Sequence, residues 1–385
     1  MPEIYDVIVL GVGGFGSAAL DHLARRGVRA LGIERFDVAH DRGSSHGETR
    51  IIRKAYFEHP DYVPLLLRAY DLWHELQDDA GRELYDLCGL MLAGPPDGEA
   101  IAGAKLAART HRLALEELEL AAARARFPGF RFPDDFGVVF EADAGYLRVE
   151  ECVRAHVERA MSNGAVVKTG ESVLGWSSDG RTVEVQTDRE RYQAARLVVT
   201  AGAWARELLA GLAIPLEVVR KPQFWFEVET ADYRAAAGKP AYFFDTPTGQ
   251  FYGFPSLDGR TVKVAEHSGG NAVADPLKVD RVLHESDVRQ LHDFLTRFMP
   301  GVKPTPVRHS VCMYTLTPDR HFIIDVHPAY ENVAIGAGFS GHGFKFTPVL
   351  GAALGDLALD GRTELPIGFL ALDRPALKSS KISLS

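Results

Sequence analysis

Two arginines three positions apart follow a run of small and polar residues. They are Arg50 and Arg53, at the end of the segment HDRGSSHGETRIIR (residues 40–53). An arginine fork binds a carboxylate through two parallel hydrogen bonds, so the pair suits an amino-acid substrate. If the segment begins a helix, the two side chains project to one side. The alternative is a pair of solvated arginines that form ion pairs with Glu48 or Glu58.

A glycine-rich turn near the N-terminus can bind phosphate. Gly11, Gly13 and Gly16 match G-x-G-x-x-G between a β-branched run and an amphipathic pattern, and Glu34 ends the next strand. Such glycines let the backbone approach a pyrophosphate at a helix N-terminus, and the acid accepts hydrogen bonds from a ribose. The order of strand, helix and acid favours a dinucleotide, although the motif does not choose NAD over FAD. The alternative is a glycine turn that serves packing only.

A predicted β-hairpin covers residues 250–267. Asp258-Gly259 between two alternating runs indicates a two-residue type I′ turn. With that turn as its centre, the pairing places Tyr252 opposite Ala265.

One face of this hairpin carries three groups that can do chemistry. Because side chains alternate between faces, Tyr252, Lys263 and His267 share one of them. A phenol, an amine and an imidazole together are unusual in a hydrophobic core. The face therefore belongs either to an active site or to solvent.

The cysteines and histidines offer no metal site. Cys88, Cys152 and Cys312 are too far apart for a zinc site or a disulfide framework, and the 14 histidines have no ligand spacing. A nucleophile elbow is also missing from the sequence. Taken alone, Cys312 is a small buried hydrophobic residue, and for Lys345 a surface lysine is the alternative to a role in binding.

The elements that must position these groups recur along the chain. Strand and helix patterns typical of a nucleotide-binding domain return after long insertions that are rich in aromatic strands. A glycine-rich loop followed by a long helix at residues 332–359 can face the electron-rich edge of a flavin, which favours FAD. We predict an α/β fold in which a Rossmann-type FAD-binding domain is interleaved with an α+β substrate domain on a mainly antiparallel sheet. The predicted ranges are 1–85, 146–215 and 313–375 for the FAD-binding domain, 86–145 and 216–312 for the substrate domain, and 376–385 for a frayed polar tail.

The composition argues against some classes of binding partner. The 385 residues are 46% hydrophobic and carry a formal net charge of −9, without a basic run. These values argue against nucleic acid and an anionic membrane surface. The N-terminus enters a strand without a leader and no apolar run could cross a bilayer, so we expect a cytoplasmic protein without a membrane partner.

Five motifs in order resemble one family. They are GVGGFG with Glu34, GSSHGETRIIR, the hairpin YGFP…VKVAEH, CMYTLTPDRHFIID and GFSGHGFKF. Together they resemble the monomeric sarcosine oxidase and N-methyltryptophan oxidase family, FAD-dependent amine oxidases of the D-amino-acid-oxidase type fold. The resemblance implies covalent FAD, oxidation of N-methyl or cyclic secondary amino acids by oxygen, hydrogen peroxide as co-product, and favours a monomer.

The resemblance also implies roles for individual residues. Cys312 is the flavin-linking thiol, for which the sequence offers Arg308 and His309 as neighbouring cations. Lys263 lies over the flavin and helps oxygen accept electrons. The implied catalytic residues are Lys263, His267, Tyr252 and Arg50, and the substrate-binding residues are Arg53, Lys345 and Tyr314. The implied cofactor-binding residues are Gly11, Gly13, Gly14, Gly16, Glu34, Ser44, Ser45, His46, Cys312, Gly338, Gly341, Gly343 and Lys345.

The substrate side chain stays open. Glu48 stands where aspartate is common in sarcosine oxidases, and the aromatic pair Phe243 and Phe244 precedes the hairpin. These aromatic side chains either fill the cavity or stack on a bulky substrate. A fructosyl-amino-acid oxidase, an amine dehydrogenase that passes electrons to a carrier, and a regulatory nucleotide-binding protein are the alternatives.

Overall fold

The computed structural model describes residues 4–378, which contain twenty β-strands and eight α-helices. The strands are β1 (Ile4–Leu10), β2 (Ala30–Ile33), β3 (Thr49–Ile52), β4 (Tyr85–Asp86), β5 (Leu90–Gly94), β6 (Glu116–Leu118), β7 (Gly137–Glu141), β8 (Gly145–Arg148), β9 (Val166–Lys168), β10 (Val173–Ser178), β11 (Val183–Thr187), β12 (Arg191–Val199), β13 (Glu217–Val228), β14 (Ala241–Thr246), β15 (Gly249–Phe254), β16 (Thr261–Glu266), β17 (Asn271–Ala272), β18 (Val302–Leu316), β19 (Ile323–His327) and β20 (Tyr330–Ala337). The helices are α1 (Gly14–Arg25), α2 (Val63–Ala80), α3 (Glu99–His111), α4 (Leu120–Arg126), α5 (Val149–Ser162), α6 (Ala205–Leu208), α7 (Glu285–Phe298) and α8 (Thr347–Asp360).

The first sheet has the nucleotide-binding arrangement. Its strand order is β10-β11-β12-β1-β2-β9, with β20 parallel to β12 and β19 beside β20. β1 runs parallel to β2 and β12, and helices α5 and α8 pack against α1. Val7, Ile8, Val9 and Leu10 are fully buried, as expected for a parallel strand covered on both faces.

The second sheet is mainly antiparallel and has an aromatic core. Its order is β17-β13-β16-β15-β14-β5-β7-β6, with β18 along β13, and only β14 and β5 pair in parallel. Phenylalanines of β13, β14 and β15 pack with Phe294 of α7. A small sheet, β3-β8-β4, completes the fold. The predicted fold class is therefore confirmed.

The hairpin of β15 and β16 has the predicted register but not the predicted turn. Tyr252 lies opposite Ala265, as expected. The type I′ prediction is wrong, because that turn needs positive φ at both central residues and only Gly259 has it, at 72°. The Asp258 carboxylate instead accepts hydrogen bonds from the backbone N–H groups of Arg260 and Thr261, which shapes a longer connection.

The domain ranges stay predictions, and β4 and β18 run through two of the proposed boundaries. Of the predicted tail, residues 379–385 lie outside the described part, while a short 3₁₀ helix covers Pro375–Lys378. Among the helices of residues 4–378, none combines the length and apolarity needed to span a bilayer.

Candidate active site

One large cavity connects the glycine-rich turn after β1 with the second sheet. Its empty volume, including solvent at the mouth, is about 1810 Å³. The sequence-predicted residues that line it are Gly11, Gly13, Gly14, Glu34, Ser44, Ser45, Arg50, Arg53, Tyr252, His267, Tyr314, Gly338, Gly341, Gly343 and Lys345. The remaining predicted residues, Gly16, His46, Lys263 and Cys312, lie behind this wall.

The glycine turn is shaped for a close ligand. Gly11 has φ of 83°, and a Cβ on Gly16 would lie 1.8 Å from the Gly11 carbonyl oxygen, so α1 packs directly on the turn. Gly13 and Gly14 line the cavity where the helix begins, and its N-terminal dipole favours an anion there. This bare backbone fits the pyrophosphate of FAD.

Glu34 lines the cavity together with the glycine turn. Its carboxylate accepts hydrogen bonds from the backbone N–H groups of Val12 at 2.8 Å and Phe36 at 3.0 Å, and lies 3.3 Å from His40 Nε2. Burial opposes ionisation, but His40 and these donors lower the pKa of Glu34 overall. The charged carboxylate fits the ribose-binding role that the spacing predicts.

Residues 43–46 tie the glycine turn to β18. Ser45 Oγ accepts a hydrogen bond from the Gly14 N–H at 3.1 Å, and Ser44 Oγ donates to the Met313 carbonyl at 2.6 Å. His46 is buried behind them, and within residues 4–378 its Nε2 has no hydrogen-bond partner. Burial, with the nearby Arg50 charge, lowers the pKa of His46 to about 3, so the ring is neutral.

Arg50 is the cation beside the Cys312 thiol. Its Nη2 lies 3.4 Å from the Cys312 Sγ, and both the guanidinium and the thiol donate a hydrogen bond to the Ser44 carbonyl oxygen. The segment does not begin a helix, because Arg50 lies in strand β3, so the condition for a shared helical side is not met. The expected cations are also wrong: Arg308 pairs with a glutamate, and His309 contacts a backbone carbonyl. Arg50 is 262 positions from the cysteine, so sequence neighbours could not reveal it.

Two buried cations lie together at the other end of the cavity. Arg53 is 4% exposed, and its Nη2 lies 2.5 Å from a Glu58 carboxylate oxygen. Its guanidinium also lies 4.4 Å from the Tyr56 ring centre and 3.9 Å from that of Phe57. Lys345 is 5% exposed, and burial and the Arg53 charge lower its pKa to about 7. Arg53 therefore forms the ion pair with Glu58 that the alternative offered, but it and Lys345 are buried and not solvated, and these two cations outnumber the one carboxylate.

The hairpin face points into the protein, not to solvent. Tyr252 and His267 line the cavity, and Tyr314 Oη lies 3.5 Å from His267 Nδ1. Burial, with the charge of Lys221, lowers the pKa of His267 to about 3, which keeps the ring neutral. Lys263 is 3% exposed and does not line the cavity. Tyr252, Lys263 and His267 therefore share one face of the hairpin, as predicted, but of the three only Tyr252 and His267 reach the cavity surface.

Several residues of the site were missed by the sequence reasoning. Phe57 lines the cavity, and its ring centre lies 5.1 Å from that of Phe243. His342 also lines it, and its backbone carbonyl accepts a hydrogen bond from Lys345 Nζ at 2.7 Å. Lys221 is buried in β13, where a charged residue inside the apolar run VVRKPQFWF could have indicated it.

The C-terminal glycine loop closes the cavity over β18. Gly338 and Gly341 have φ of 62° and 82°, and a Cβ on Gly341 would lie 2.4 Å from the Tyr314 ring. The loop can therefore lie flat against that ring only with glycine at this position.

Comparison with known proteins places this architecture in a family. Residues 6–357 match the family described as FAD dependent oxidoreductase (DAO). The chain is 41% identical over 383 residues to monomeric sarcosine oxidase of Arthrobacter sp. (strain TE1826), covering 98% of each chain. It is 35% identical to N-methyl-L-tryptophan oxidase of Salmonella enteritidis, covering 93% of this chain and 95% of the relative.

A solved structure agrees with this placement. The open form of NikD, described as an unusual amino acid oxidase essential for nikkomycin biosynthesis, superposes with a TM-score of 0.85 at 27% identity, covering 96% of this chain and 97% of that one. The predicted resemblance is thereby confirmed. The chain belongs to the FAD dependent oxidoreductase family, alongside the monomeric sarcosine oxidases and N-methyltryptophan oxidases, and it is an FAD-dependent oxidoreductase.

Proposed function

We propose that the protein oxidises the C–N bond of a small secondary amino acid to an imine and reduces oxygen to hydrogen peroxide. The substrate class comprises sarcosine, other N-methyl amino acids and cyclic imino acids. The observation that carries the proposal is one cavity with an FAD-shaped glycine cradle at one end and the buried cations Arg53 and Lys345 at the other. FAD supplies the acceptor for the hydride from the substrate carbon and the route of its electrons to oxygen.

Arg53 and Lys345 hold the substrate carboxylate. The Arg53 ion pair with Glu58 and its two aromatic neighbours restrict the guanidinium to one position. A fixed cation orients the amino acid at little entropic cost on binding. The neutral His267 ring accepts a hydrogen bond from the substrate amine, and Phe57 and Phe243 exclude water.

Lys263 supplies positive charge for the oxygen half of the reaction. Its ammonium donates hydrogen bonds to the carbonyls of Gly47 at 2.5 Å and Thr49 at 3.0 Å, directly behind Arg50. Burial and the Arg50 charge lower the pKa of Lys263, while these acceptors stabilise the charged form. In this dry setting a fixed ammonium stabilises an anion formed by reduction of oxygen.

Cys312 attaches FAD through a thioether. Its thiol is buried and free, and Arg50 lies beside it to stabilise the thiolate. When FAD is bound, a bond between the Cys312 sulfur and the flavin methyl carbon would replace one S–H and one C–H bond, and oxygen would take up the two protons and two electrons as hydrogen peroxide. The relatives named monomeric sarcosine oxidase support a monomer as the acting form.

Anaerobic bleaching of the flavin tests the function. The panel contains sarcosine, N-methyl-L-tryptophan, L-proline, a fructosyl amino acid and glycine. We expect bleaching by a secondary amino acid, followed by fast recovery of colour with oxygen and stoichiometric hydrogen peroxide. Bleaching by the fructosyl compound alone would favour that oxidase instead, slow recovery would indicate a dehydrogenase, and no bleaching by any amine would contradict an enzyme of this class.

A further inference from the structure

A strained surface segment, Gly47 and Glu48, lies next to Lys263. Gly47 has φ of 89° and Glu48 has φ of 71°, a left-handed conformation that a glutamate rarely adopts. Strain of this kind persists only where surrounding contacts hold it, and it is concentrated at functional sites. The proposed function assigns no role to the Glu48 side chain.

The contacts that hold Glu48 come from the second sheet. One carboxylate oxygen accepts a hydrogen bond from Trp225 Nε1 at 2.9 Å, and the other pairs with Arg308. The Arg308 guanidinium lies 3.8 Å above the Trp225 ring centre, so the three side chains form one unit. We call Glu48, Trp225 and Arg308 the Glu48 latch.

The backbone of the same segment is held from its other side. The N–H of Gly47 lies 2.7 Å from a carboxylate oxygen of Glu150, and the N–H of Glu48 lies 3.1 Å and 3.2 Å from the two oxygens. Consecutive N–H groups that converge on one anion form a nest. The carbonyl of Gly47 accepts hydrogen bonds from the Thr49 N–H at 2.9 Å and from the Lys263 ammonium.

Within residues 4–378, the hydrogen bonds of the Lys263 ammonium all go to Gly47 and Thr49, the residues on either side of Glu48. Nζ lies 2.5 Å from the Gly47 carbonyl, 3.0 Å from the Thr49 carbonyl and 3.3 Å from Thr49 Oγ1. An ammonium has three hydrogens to donate. If Glu48 relaxed to negative φ, the peptide between Gly47 and Glu48 would rotate and turn its carbonyl away from Lys263.

We propose that the Glu48 latch is a positioning device that holds the Lys263 ammonium where it promotes the reaction with oxygen. The inference rests on the proposed role of Lys263. Glu48 and Arg308 act through the backbone carbonyls, whereas Trp225 also lies opposite Lys263 on the neighbouring strand, with its ring centre 5.6 Å from Nζ; none of the three lines the cavity. The Glu48–Arg308 pair is about half exposed, at 44% and 52%, so by itself it contributes little to folding.

The test separates the two half-reactions in FAD-loaded enzyme by stopped flow. Glu48→Gly deletes the latch but suits the left-handed backbone, so it removes strain instead of adding it. We expect reoxidation by oxygen to slow by about tenfold or more, with flavin reduction within about twofold of wild type. Trp225→Phe should show a smaller slowing in the same half-reaction. Lys303→Met is the matched control, because it removes an exposed pair with Glu227 between the same strands, β18 and β13.

A second measurement is independent of turnover. Acetylation of Lys263, followed by mass spectrometry, reports how firmly the amine is held. We expect several-fold faster labelling in Glu48→Gly than in wild type, with unchanged labelling of exposed Lys303.

The outcomes distinguish this inference from the function on which it rests. If Lys263→Met reoxidises slowly but Glu48→Gly behaves as wild type, the latch has no such role and the proposed function stands. Equal slowing of both half-reactions in Glu48→Gly would show a general structural role and also overturn the inference. If Lys263→Met itself reoxidises at the wild-type rate, the proposed oxygen role of the lysine fails first.

Discussion

Arg53→Met removes the cation to which we assign the substrate carboxylate. The guanidinium lies between two aromatic rings, 2.5 Å from a carboxylate oxygen of Glu58, whose side chain is 12% exposed. Loss of a desolvated charge partner costs about 2–5 kcal/mol of binding. At about 1.4 kcal/mol per tenfold, kcat/KM should fall by about 30- to 4000-fold.

The same substitution leaves Glu58 buried without its cation. Breaking a buried ion pair costs about 3–5 kcal/mol in folding, so a loss of activity could reflect instability alone. Arg53→Met/Glu58→Gln removes the orphan charge as well. We expect the double variant to recover most of the free energy of unfolding without recovering kcat/KM for carboxylate substrates.

The assay compares sarcosine with sarcosinamide, which is similar in size and lacks the negative charge. Arg53→Met/Glu58→Gln should lose the preference for the acid and change little towards the amide. Arg220→Met/Asp287→Asn is the control, since it removes another buried pair, at 2.6 Å, outside the cavity. Equal losses on both substrates, or the same loss in the control, would refute the assignment of Arg53 to the carboxylate.

Three further predictions concern attachment and pH. Acid-precipitated wild-type protein should stay yellow and Cys312→Ser should release its flavin, whereas a white wild-type pellet would rule out the thioether. Because the pKa of Lys345 is lowered to about 7, the lysine loses its charge as pH rises through this value, and KM for sarcosine should rise. Lys345→Arg should flatten that dependence of KM on pH. A matching rise in KM for sarcosinamide would show that loss of the Lys345 charge is not the reason. His46 and His267 have folded pKa values of about 3. Unfolding therefore takes up protons below the ordinary histidine pKa of about 6.5, and the free energy of unfolding measured by urea denaturation should be about 2 kcal/mol lower for each ring at pH 5. An unfolding free energy that is the same at pH 7 and pH 5 would show that the rings are charged in the folded protein.

Local chemistry explains which parts of the fold were predictable. The glycine turn, its helix and Glu34 are near neighbours in the chain, and their spacing alone indicates a dinucleotide site. The hairpin register follows from alternation and the position of its turn, so the pairing of Tyr252 with Ala265 was predictable. The turn type was not, because the Asp258 carboxylate organises the loop through its own hydrogen bonds.

The sequence could not show which charged residues of the site contact one another. Residue types and motifs identified Arg53, Lys345 and Cys312, but spacing alone could not show burial or choose their partners. Burial turned Lys345 from an ordinary lysine into a group with a pKa near neutrality. A solvated arginine and a buried one have the same local sequence, and only the surrounding packing separates them.

By itself, the sequence determined the fold class and the family, and it predicted a set of groups that could do chemistry, from which the buried Lys221 was missing. Only the tertiary structure decided that Arg50 contacts Cys312, that Glu58 pairs with Arg53, and that the Glu48 latch joins the segment before β3 to the second sheet. The physical reason is range. Turns and strand patterns depend on residues a few positions apart, whereas these contacts depend on how whole sheets pack and on which charges that packing removes from water.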